Sequence, residues 1–343
     1  MGTAIRQGMH MNKAETTRRI ALIDVWRGSA LLAMMTYHGA WDVAYLHILR
    51  FDPGASPLWR LYAHLIAGSF LFLVGVSLVL ATREGLRWPR YLKRLAAILA
   101  AAALVSIVTR FVMPEGWVFF GILHQIALAS VLALPFLRLP PLAAGLVGAL
   151  VIALPAFVEW PLFASPALWW VGLAPIPTTS FDYVPLFPWT GVVLLGVAGG
   201  HLAVARGLDR RLAAWQPRGR LTRLLAFGGR HSLAVYLLHQ GVIYGLLFVA
   251  ASLFMPEAAL DAARADCLDR CVALRQDGDG CHAYCRCMFE EIEGAGLTPA
   301  LLGNRLDEAA MQRVHAMAIS CTAIALPPDG RLAAPPAPGK AGD

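Results

Sequence analysis

The sequence predicts an all-α membrane protein, a polytopic bundle of about seven transmembrane helices followed by a small, disulfide-bonded helical tail. The chain has 343 residues and is 58% hydrophobic and only 15% charged, whereas soluble domains carry about 45–50% apolar and 25% charged residues. The apolar residues fall in blocks of about 20, the length that spans a bilayer. All six cysteines lie in the last quarter of the chain, after these blocks.

Seven apolar blocks define the predicted spans. The polar, basic residues 1–19 precede a long block that holds Asp24, Arg27 and His38, so we interpret the first block as a retained helix and not a signal peptide. The Trp- and Pro-rich stretch 159–183 is typical of an interfacial segment. The predicted spans are residues 20–47, 59–82, 92–113, 117–137, 140–158, 184–205 and 231–254.

The basic residues predict how the chain is oriented. The loops assigned to the cytoplasm hold 17 Lys and Arg, and the loops assigned to the other side hold 3. This asymmetry follows the positive-inside rule and places the N-terminus in the cytoplasm and residues 255–343 on the periplasmic side of a bacterial inner membrane. The loops assigned to the cytoplasm are 1–19, 83–94, 138–141 and 206–230. The loops assigned to the other side are 48–60, 110–116 and 159–183.

The net charge of +7 does not indicate a nucleic-acid partner. Residues 1–254 carry 21 Lys and Arg against 9 Asp and Glu, whereas residues 255–343 carry 8 against 13. No stretch interleaves the basic residues with exposed aromatic residues, as a nucleic-acid groove would. We therefore expect the lipid bilayer as a partner and no nucleic acid. The sequence leaves the oligomeric state open, and a homo-oligomer is one of the states it allows.

The cysteines form a twin C-x3-C pattern with one further pair. Because residues i and i+4 share a helix face, two antiparallel helices joined at residues 276–280 would bring the two motifs together. Six cysteines allow 15 pairings, so other connectivities stay open. The natural pairing is Cys267–Cys285 and Cys271–Cys281, with Cys287–Cys321 left over.

Disulfides in the tail agree with the predicted topology, since they persist in oxidising compartments such as the periplasm. A metal site that includes His282 is the alternative, but zinc sites usually show C-x2-C spacing, so we expect no metal. The predicted domains are thus a membrane domain (1–254), a periplasmic helical segment (255–325) and a disordered Pro/Ala/Gly-rich end (326–343).

The first predicted helix is rich in ionisable residues, which inside a membrane suggest function. Asp24 precedes Arg27 by three residues, so the two can pair. His38 and Asp42 are four residues apart and about three turns beyond Arg27. A carboxylate beside a histidine fixes its tautomer and raises its basicity, as a general base or an acyl-accepting histidine requires. A buried polar pair that locks neighbouring helices together is an equally good interpretation.

Three later apolar helices also contain histidines, namely His64, His124 and His239. Each alone is more often an interhelical hydrogen-bonding residue than a catalyst. Together with the first helix, they favour a polar centre lined by several helices. Asp182, at the start of the sixth span, is better explained as a helix N-cap than as a catalytic residue.

The sequence resembles bacterial proteins related to heparan-alpha-glucosaminide N-acetyltransferase. The resemblance covers residues 16–250, and the joint order of its segments is more specific than any one of them. The segments that carry it are Arg19-x4-Asp24-x2-Arg27-Gly28, His38-x3-Asp42, and residues 70–77, 120–127, 182–189 and 229–240.

The resemblance implies transmembrane acetylation, in which cytosolic acetyl-CoA serves as co-substrate. The acetyl or acyl group would pass to an amine or hydroxyl of a sugar or glycan on the far side of the membrane. His38 would then be the catalytic base or a transient acyl carrier, and Asp42 would orient it. In the better-known eukaryotic branch the catalytic histidine lies beyond the first helix, where His47 is the nearer match. The choice between His38 and His47 stays open.

The resemblance assigns the remaining site residues by position. Asp24 and Arg27 would lie toward the CoA side, and His124, Gln125 and His239 would line the site. The chain has fewer spans than the eukaryotic branch, and its tail has no counterpart in the family pattern. Two alternatives are a proton-coupled transporter built on the same polar centre and a non-catalytic membrane scaffold. No internal repeat is evident, which disfavours the transporter.

Overall fold

The computed structural model describes residues 20–46, 48–49, 53–113, 116–158, 160–175, 180–254, 256–302 and 306–325. These described residues are mainly helical and include no strand, which confirms the all-α class. They fall into two compact units. The first draws on the described residues within 20–38 and 54–241, and the second on those within 39–53 and 242–325. His47, Arg19 and the end of the chain after residue 325 lie outside the described residues.

The apolar part of the chain forms nine of the described helices. These helices are α1 (Ala21–Tyr45), α2 (Pro57–Thr82), α3 (Trp88–Val112), α4 (Ile122–Leu132), α5 (Pro141–Ala153), α6 (Leu186–Ala205), α7 (Leu208–Ala214), α8 (Arg220–Arg230) and α9 (Ser232–Phe254). Proline occupies one of the first two positions of α2, α3 and α5. Its fixed φ and missing N–H suit it to the start of a helix, which is why these helices begin where they do.

Every predicted span contains a helix, but the helices differ in length. Among the described residues, Pro57–Thr82, Trp88–Val112, Leu186–Ala205 and Ser232–Ala251 are long and apolar enough to cross a membrane. Helix α1 has 25 residues, which is also long enough, although it carries three charged side chains. A polytopic membrane bundle is therefore confirmed.

The fourth and fifth predicted spans contain helices that are too short to cross a bilayer; the fourth span, 117–137, is longer than its helix, whereas the fifth, 140–158, matches the apolar helical segment Pro141–Ala156. Helix α4 has 11 residues and α5 has 13, so each rises only about 16–20 Å, well short of a bilayer core of about 30 Å. Helix α4 begins after Gly121 and is followed by a 3-10 turn, Pro135–Arg138. Helix α5 likewise runs into the 3-10 turn Leu154–Ala156. Proline in both turns stops the α-helical hydrogen bonding earlier than the apolar pattern suggested.

Helix α6 lies at the centre of the first unit. Its residues Val193, Leu194 and Val197 are almost completely buried and share a core cluster with residues of α2, α4 and α5. Gly196 of α6 allows the backbone of α2 to approach closely, because a Cβ there would meet the carbonyl of Phe72. Small residues that permit such backbone contact are a usual basis of helix packing in membranes, where apolar surface alone gives little preference for protein over lipid.

The second unit contains the disulfide-bonded tail. Its helices are α10 (Pro256–Arg275), α11 (Gly278–Gly294), α12 (Thr298–Leu302) and α13 (Glu308–Ala325). Asp277 caps α11 by accepting a hydrogen bond from the N–H of Gly280 at 3.0 Å. The bonds Cys267–Cys285 and Cys271–Cys281 join α10 to α11, and Cys287–Cys321 joins α11 to α13. The predicted pairing is confirmed, and each of the six sulfur atoms belongs to one of these three disulfides.

Candidate active site

Helix α1 carries two groups of polar side chains at different heights. Asp24 and Arg27 lie in its first two turns, and His38 lies 11 residues beyond Arg27. At 1.5 Å per residue, the two positions are about 16 Å apart along the helix axis. We describe them separately as the carboxylate–arginine cluster (Asp24, Arg27, Arg230 and Ser77) and the histidine pair (His38 and His239).

The carboxylate–arginine cluster is built around Asp24, which is only 1% exposed. Its two carboxylate oxygens face different guanidinium groups. Arg27 Nη1 lies 3.6 Å from Oδ1, and Arg230 Nε of α8 lies 3.5 Å from Oδ2. Arg27 Nη2 also donates a hydrogen bond to Ser77 Oγ of α2. The predicted pairing of Asp24 with Arg27 is confirmed, and it is part of a larger network that joins three helices.

Two glycines bring α1 and α8 together at this cluster. A Cβ on Gly28 would meet the backbone carbonyl of Leu225, and a Cβ on Gly229 would meet the backbone carbonyl of Asp24. Any larger residue at either position would push the helices apart. The close crossing places Arg230, the residue after Gly229, next to the carboxylate of Asp24.

The histidine pair joins α1 to α9 within the first unit. The ring centroids of His38 and His239 lie 5.1 Å apart. His239 is 7% exposed, and its Nδ1 lies 2.6 Å from the carbonyl oxygen of Tyr236. A carbonyl can only accept, so Nδ1 carries the proton and the neutral ring has its lone pair on Nε2. This Nε2 is buried and has no hydrogen-bond partner among the described residues.

Aromatic side chains surround His38 on one side. The centroid of Tyr37 lies 5.8 Å from that of His38 and 5.9 Å from that of Trp59. Tyr62 lies 5.8 Å from Trp59, and its hydroxyl lies 2.8 Å from Thr36 Oγ1. We call Tyr37, Trp59 and Tyr62 the aromatic cluster. It offers several ring faces and a hydroxyl group next to the catalytic candidate.

Asp182 links α9 to the start of α4. Its Oδ2 accepts hydrogen bonds from the backbone N–H of Ile122 and from the hydroxyl of Tyr236, each at 3.0 Å. Burial raises the pKa of this carboxyl above its ordinary value, and the two hydrogen bonds oppose part of the shift. The prediction that Asp182 caps the sixth span is wrong, because Pro185 occupies the N-cap of α6 without a side-chain hydrogen bond, and Asp182 instead accepts from the first N–H of α4.

A comparison with protein families matches residues 19–241 to the model described as heparan-alpha-glucosaminide N-acetyltransferase, catalytic. The match covers more than half of the chain and includes the carboxylate–arginine cluster and the histidine pair. The chain belongs to this family. No curated protein and no solved structure matches it significantly.

The heparan-alpha-glucosaminide N-acetyltransferase match ends at residue 241, within α9. Helices α10 to α13 and their three disulfides therefore lie outside it. The family accounts for the membrane helices that carry the candidate site, and the tail is an addition that the matched region does not explain.

His124 and Gln125, which the family resemblance places at the site, are held by other partners. His124 Nδ1 accepts from the N–H of Gly121 at 3.2 Å, and its Nε2 lies 3.3 Å from Ser106 Oγ. Gln125 is fully buried and donates from Nε2 to Thr190 Oγ1 at 2.8 Å. In the described part of the chain, neither residue makes a hydrogen bond to His38. Both lie in α4, which Asp182 connects to Tyr236 of α9.

Asp42 lies on α1 one turn after His38 and is 5% exposed. The division between the two units passes through α1 after His38, so Asp42 belongs to the second unit. Its role in orienting His38 stays a prediction. His47, the rival catalytic candidate, lies outside the described residues.

Sequence reasoning missed Ser77 and Arg230 as members of the carboxylate–arginine cluster. Both lie inside the segments 70–77 and 229–240, which carry the family resemblance. The signal was therefore present as a motif. What was missing was the knowledge that α1, α2 and α8 meet at Asp24, since sequence order alone does not bring distant helices together.

Proposed function

We propose that the chain is an integral-membrane acetyltransferase. It moves the acetyl group of cytosolic acetyl-CoA to an amine or hydroxyl of a sugar or glycan on the periplasmic side of a bacterial inner membrane. Membership of the N-acetyltransferase family supports the reaction type. The observation that carries the proposal is the histidine pair, in which a buried imidazole nitrogen without a hydrogen-bond partner among the described residues lies on the ring beside His38.

The chemistry needs one base. The acceptor nitrogen or oxygen attacks the carbonyl carbon of the thioester, and the C–S bond breaks. The acceptor proton moves to an imidazole nitrogen of His38 and then to the leaving thiolate, so the products are the acetylated acceptor and CoA thiol. In this scheme His38 is the base, Asp42 orients it, and His239 stands beside it. Alternatively, His38 first takes the acetyl group as an acyl-imidazole and then passes it to the acceptor.

The carboxylate–arginine cluster supports a donor site at the predicted cytoplasmic end of α1. Guanidinium groups bind phosphate oxygens well, and Arg230 is 51% exposed, so it is accessible to a ligand from that side. His38 lies about 16 Å farther along α1. One CoA molecule would therefore hold its phosphates near Arg27 and Arg230 and extend its pantetheine arm toward the histidine pair.

The aromatic cluster supports a sugar acceptor. Aromatic side chains with a few polar groups are typical of small-molecule sites, and the aromatic cluster reaches His38 through Tyr37, which Trp59 and Tyr62 contact. Their ring faces can cover the C–H faces of a sugar, while the Tyr62 hydroxyl can bond to a sugar oxygen. Glucosamine, which carries both an amine and hydroxyls, is therefore the first acceptor to test.

The test is acetyl transfer from radiolabelled acetyl-CoA to glucosamine in membranes that contain wild-type protein, His38→Ala or His47→Ala. His315→Ala in α13, outside the family match, is the control for loss of a histidine. We expect label in product or protein for wild type and the control, and none for His38→Ala. Loss with His47→Ala alone would move the catalytic assignment to His47. Folded wild type that neither binds acetyl-CoA nor transfers label would overturn the proposal and favour a transporter.

A further inference from the structure

A cleft of about 300 Å³ lies where α2 ends and α3 begins. A smaller cavity of about 20 Å³ shares Leu78, Tyr91 and Arg94 with it and extends toward Ser130 of α4. None of the cleft residues belongs to the carboxylate–arginine cluster or to the histidine pair. The cleft is thus a separate feature of the first unit, and its polar lining is mainly basic.

Three arginines and one acidic residue line the cleft. Arg87, Arg90 and Arg94 follow one another at spacings of three and four residues, which places them on one face at the start of α3. Glu84 pairs with Arg87 at 2.5 Å. Arg90 and Arg94 have no acidic partner within 4 Å in the part of the chain that the structure describes. The lining therefore carries an excess of two positive charges.

Arg94 is the most informative of the three. It lies in the second turn of a helix that is apolar enough to span a membrane, and its neighbours Leu95 and Ile98 belong to an apolar cluster. The charge bias places this end of α3 at the cytoplasmic boundary of the membrane, where a guanidinium group needs a polar partner, a headgroup or an aqueous cavity. Arg94 lines both cavities, so the cleft provides that environment.

Tyr91 adds a neutral donor to the same lining. Its hydroxyl is buried and has no hydrogen-bond partner among the described residues. A buried hydroxyl without a partner costs about 1–3 kcal/mol. Like Arg94, Tyr91 lines both cavities. The side chains present two unpaired guanidinium groups and one unpaired hydroxyl to the same space, which is the donor set that a phosphate group accepts.

We propose that this cleft is a phosphate-binding site and that Arg90, Arg94 and Tyr91 hold the phosphate oxygens. The ligand is either the headgroup of an anionic phospholipid or a soluble nucleotide that carries phosphates. Basic pockets between membrane helices suit the first source. The second source would be a nucleotide other than the acyl donor, because the proposed function places the phosphates of the donor near Arg27 and Arg230. The site itself does not depend on acetyl transfer.

The experiment measures binding to the full chain in nanodiscs and uses no activity assay. Adenosine 3′,5′-bisphosphate is titrated calorimetrically into protein in phosphatidylcholine nanodiscs. In a second arm, native mass spectrometry counts the phosphatidylglycerol retained from mixed nanodiscs. The variants are Arg94→Gln and Arg90→Gln, with Arg94→Lys to keep the charge. Lys93→Gln is the matched control, since it removes one charge from the same turn of α3 without lining the cleft.

We expect at least one probe to bind, and we expect Arg94→Gln and Arg90→Gln to weaken it about tenfold or more. Arg94→Lys should retain more binding than Arg94→Gln, and Lys93→Gln should bind as wild type does. Bisphosphate binding that Arg94→Gln and Arg90→Gln weaken would identify a soluble ligand of the cleft, and lipid retention that they weaken would identify a headgroup. Binding that neither variant weakens would place the ligand elsewhere, for example at Arg27 and Arg230, and would overturn the inference. The inference is overturned if neither probe binds folded wild type, or if Lys93→Gln weakens binding as much as Arg94→Gln.

Discussion

The rings of His38 and His239 lie 5.1 Å apart, although they come from helices near opposite ends of the membrane part of the chain. The hydrogen bond from His239 Nδ1 to the carbonyl of Tyr236 fixes one tautomer. Its Nε2 is therefore left as a buried base beside His38. Two imidazoles in this arrangement can both take part in proton transfer, His239 through its Nε2.

The variant His239→Asn removes the basic nitrogen of His239 but keeps its structural hydrogen bond. An asparagine amide can still donate to the Tyr236 carbonyl in place of Nδ1, but it has no counterpart of the basic Nε2. We expect a folded protein in which acetyl transfer from labelled acetyl-CoA falls about 100-fold or more, the range typical for loss of general acid–base catalysis. His315→Ala should transfer at the wild-type rate. A wild-type rate for His239→Asn would show that this imidazole takes no part in the reaction.

The crossing of α1 and α8 predicts a sharp difference between adjacent glycines. In Gly229→Ala, the new methyl group would meet the backbone carbonyl of Asp24, which cannot move without separating the helices. In Gly228→Ala, the new Cβ would have no described atom within 4 Å beyond its own helix, so the higher helix propensity of alanine, up to about 1 kcal/mol, should stabilise α8.

Thermal unfolding of both glycine variants in detergent would check this prediction. We expect Gly229→Ala to melt well below wild type or to extract as aggregate, because overpacking costs about 1–3 kcal/mol or more. Gly228→Ala should melt at or above the wild-type temperature. Equal melting temperatures for the two variants would contradict the close crossing.

The network at Asp24 predicts unequal effects of its members on stability. Asp24→Asn removes the carboxylate that two guanidinium groups face, and we expect a loss of about 2 kcal/mol. This is less than the 3–5 kcal/mol of a wholly buried pair, because Arg27 and Arg230 are partly exposed. Arg230→Gln should cost less than about 1 kcal/mol, since its side chain is half exposed. Thermal unfolding of the two single variants and the double variant gives the coupling between them, and a coupling near zero would refute the network.

The sequence predicted which segments form helices better than it predicted how long those helices are. Apolar length and the cysteine spacing of the tail are local patterns, so helix α1 and the pairing of Cys267 with Cys285 could both be predicted from them. The lengths of α4 and α5 could not, because apolar composition does not show where a proline turn interrupts hydrogen bonding. Hydropathy measures the solvent that a segment prefers and not its backbone conformation.

The candidate site was predictable where its members share a helix and not where they come from distant ones. Asp24 and Arg27 are three residues apart, so their pairing followed from helix geometry. The cap that Asp182 provides to α4 depends on the tertiary fold, since Ile122 lies far from it in the sequence. For the same reason the sequence placed His239 in a polar centre without naming its neighbour, and the contact with His38 gave it a specific position.

The predicted topology can be tested with two single cysteines, because all six native cysteines are in disulfides and will not react with a maleimide. His315→Cys places an exposed thiol on α13 of the tail, and Gln216→Cys places one between α7 and α8. The charge bias predicts that the first site is periplasmic and the second cytoplasmic. A membrane-impermeant maleimide should therefore label His315→Cys in intact spheroplasts and label Gln216→Cys only after the membrane is permeabilised.

The opposite labelling pattern would mean that the chain is inverted in the membrane, with the carboxylate–arginine cluster on the side away from cytosolic acetyl-CoA. Labelling of both thiols in intact cells would require an even number of crossings between α8 and α13, and the seven-span topology would be wrong.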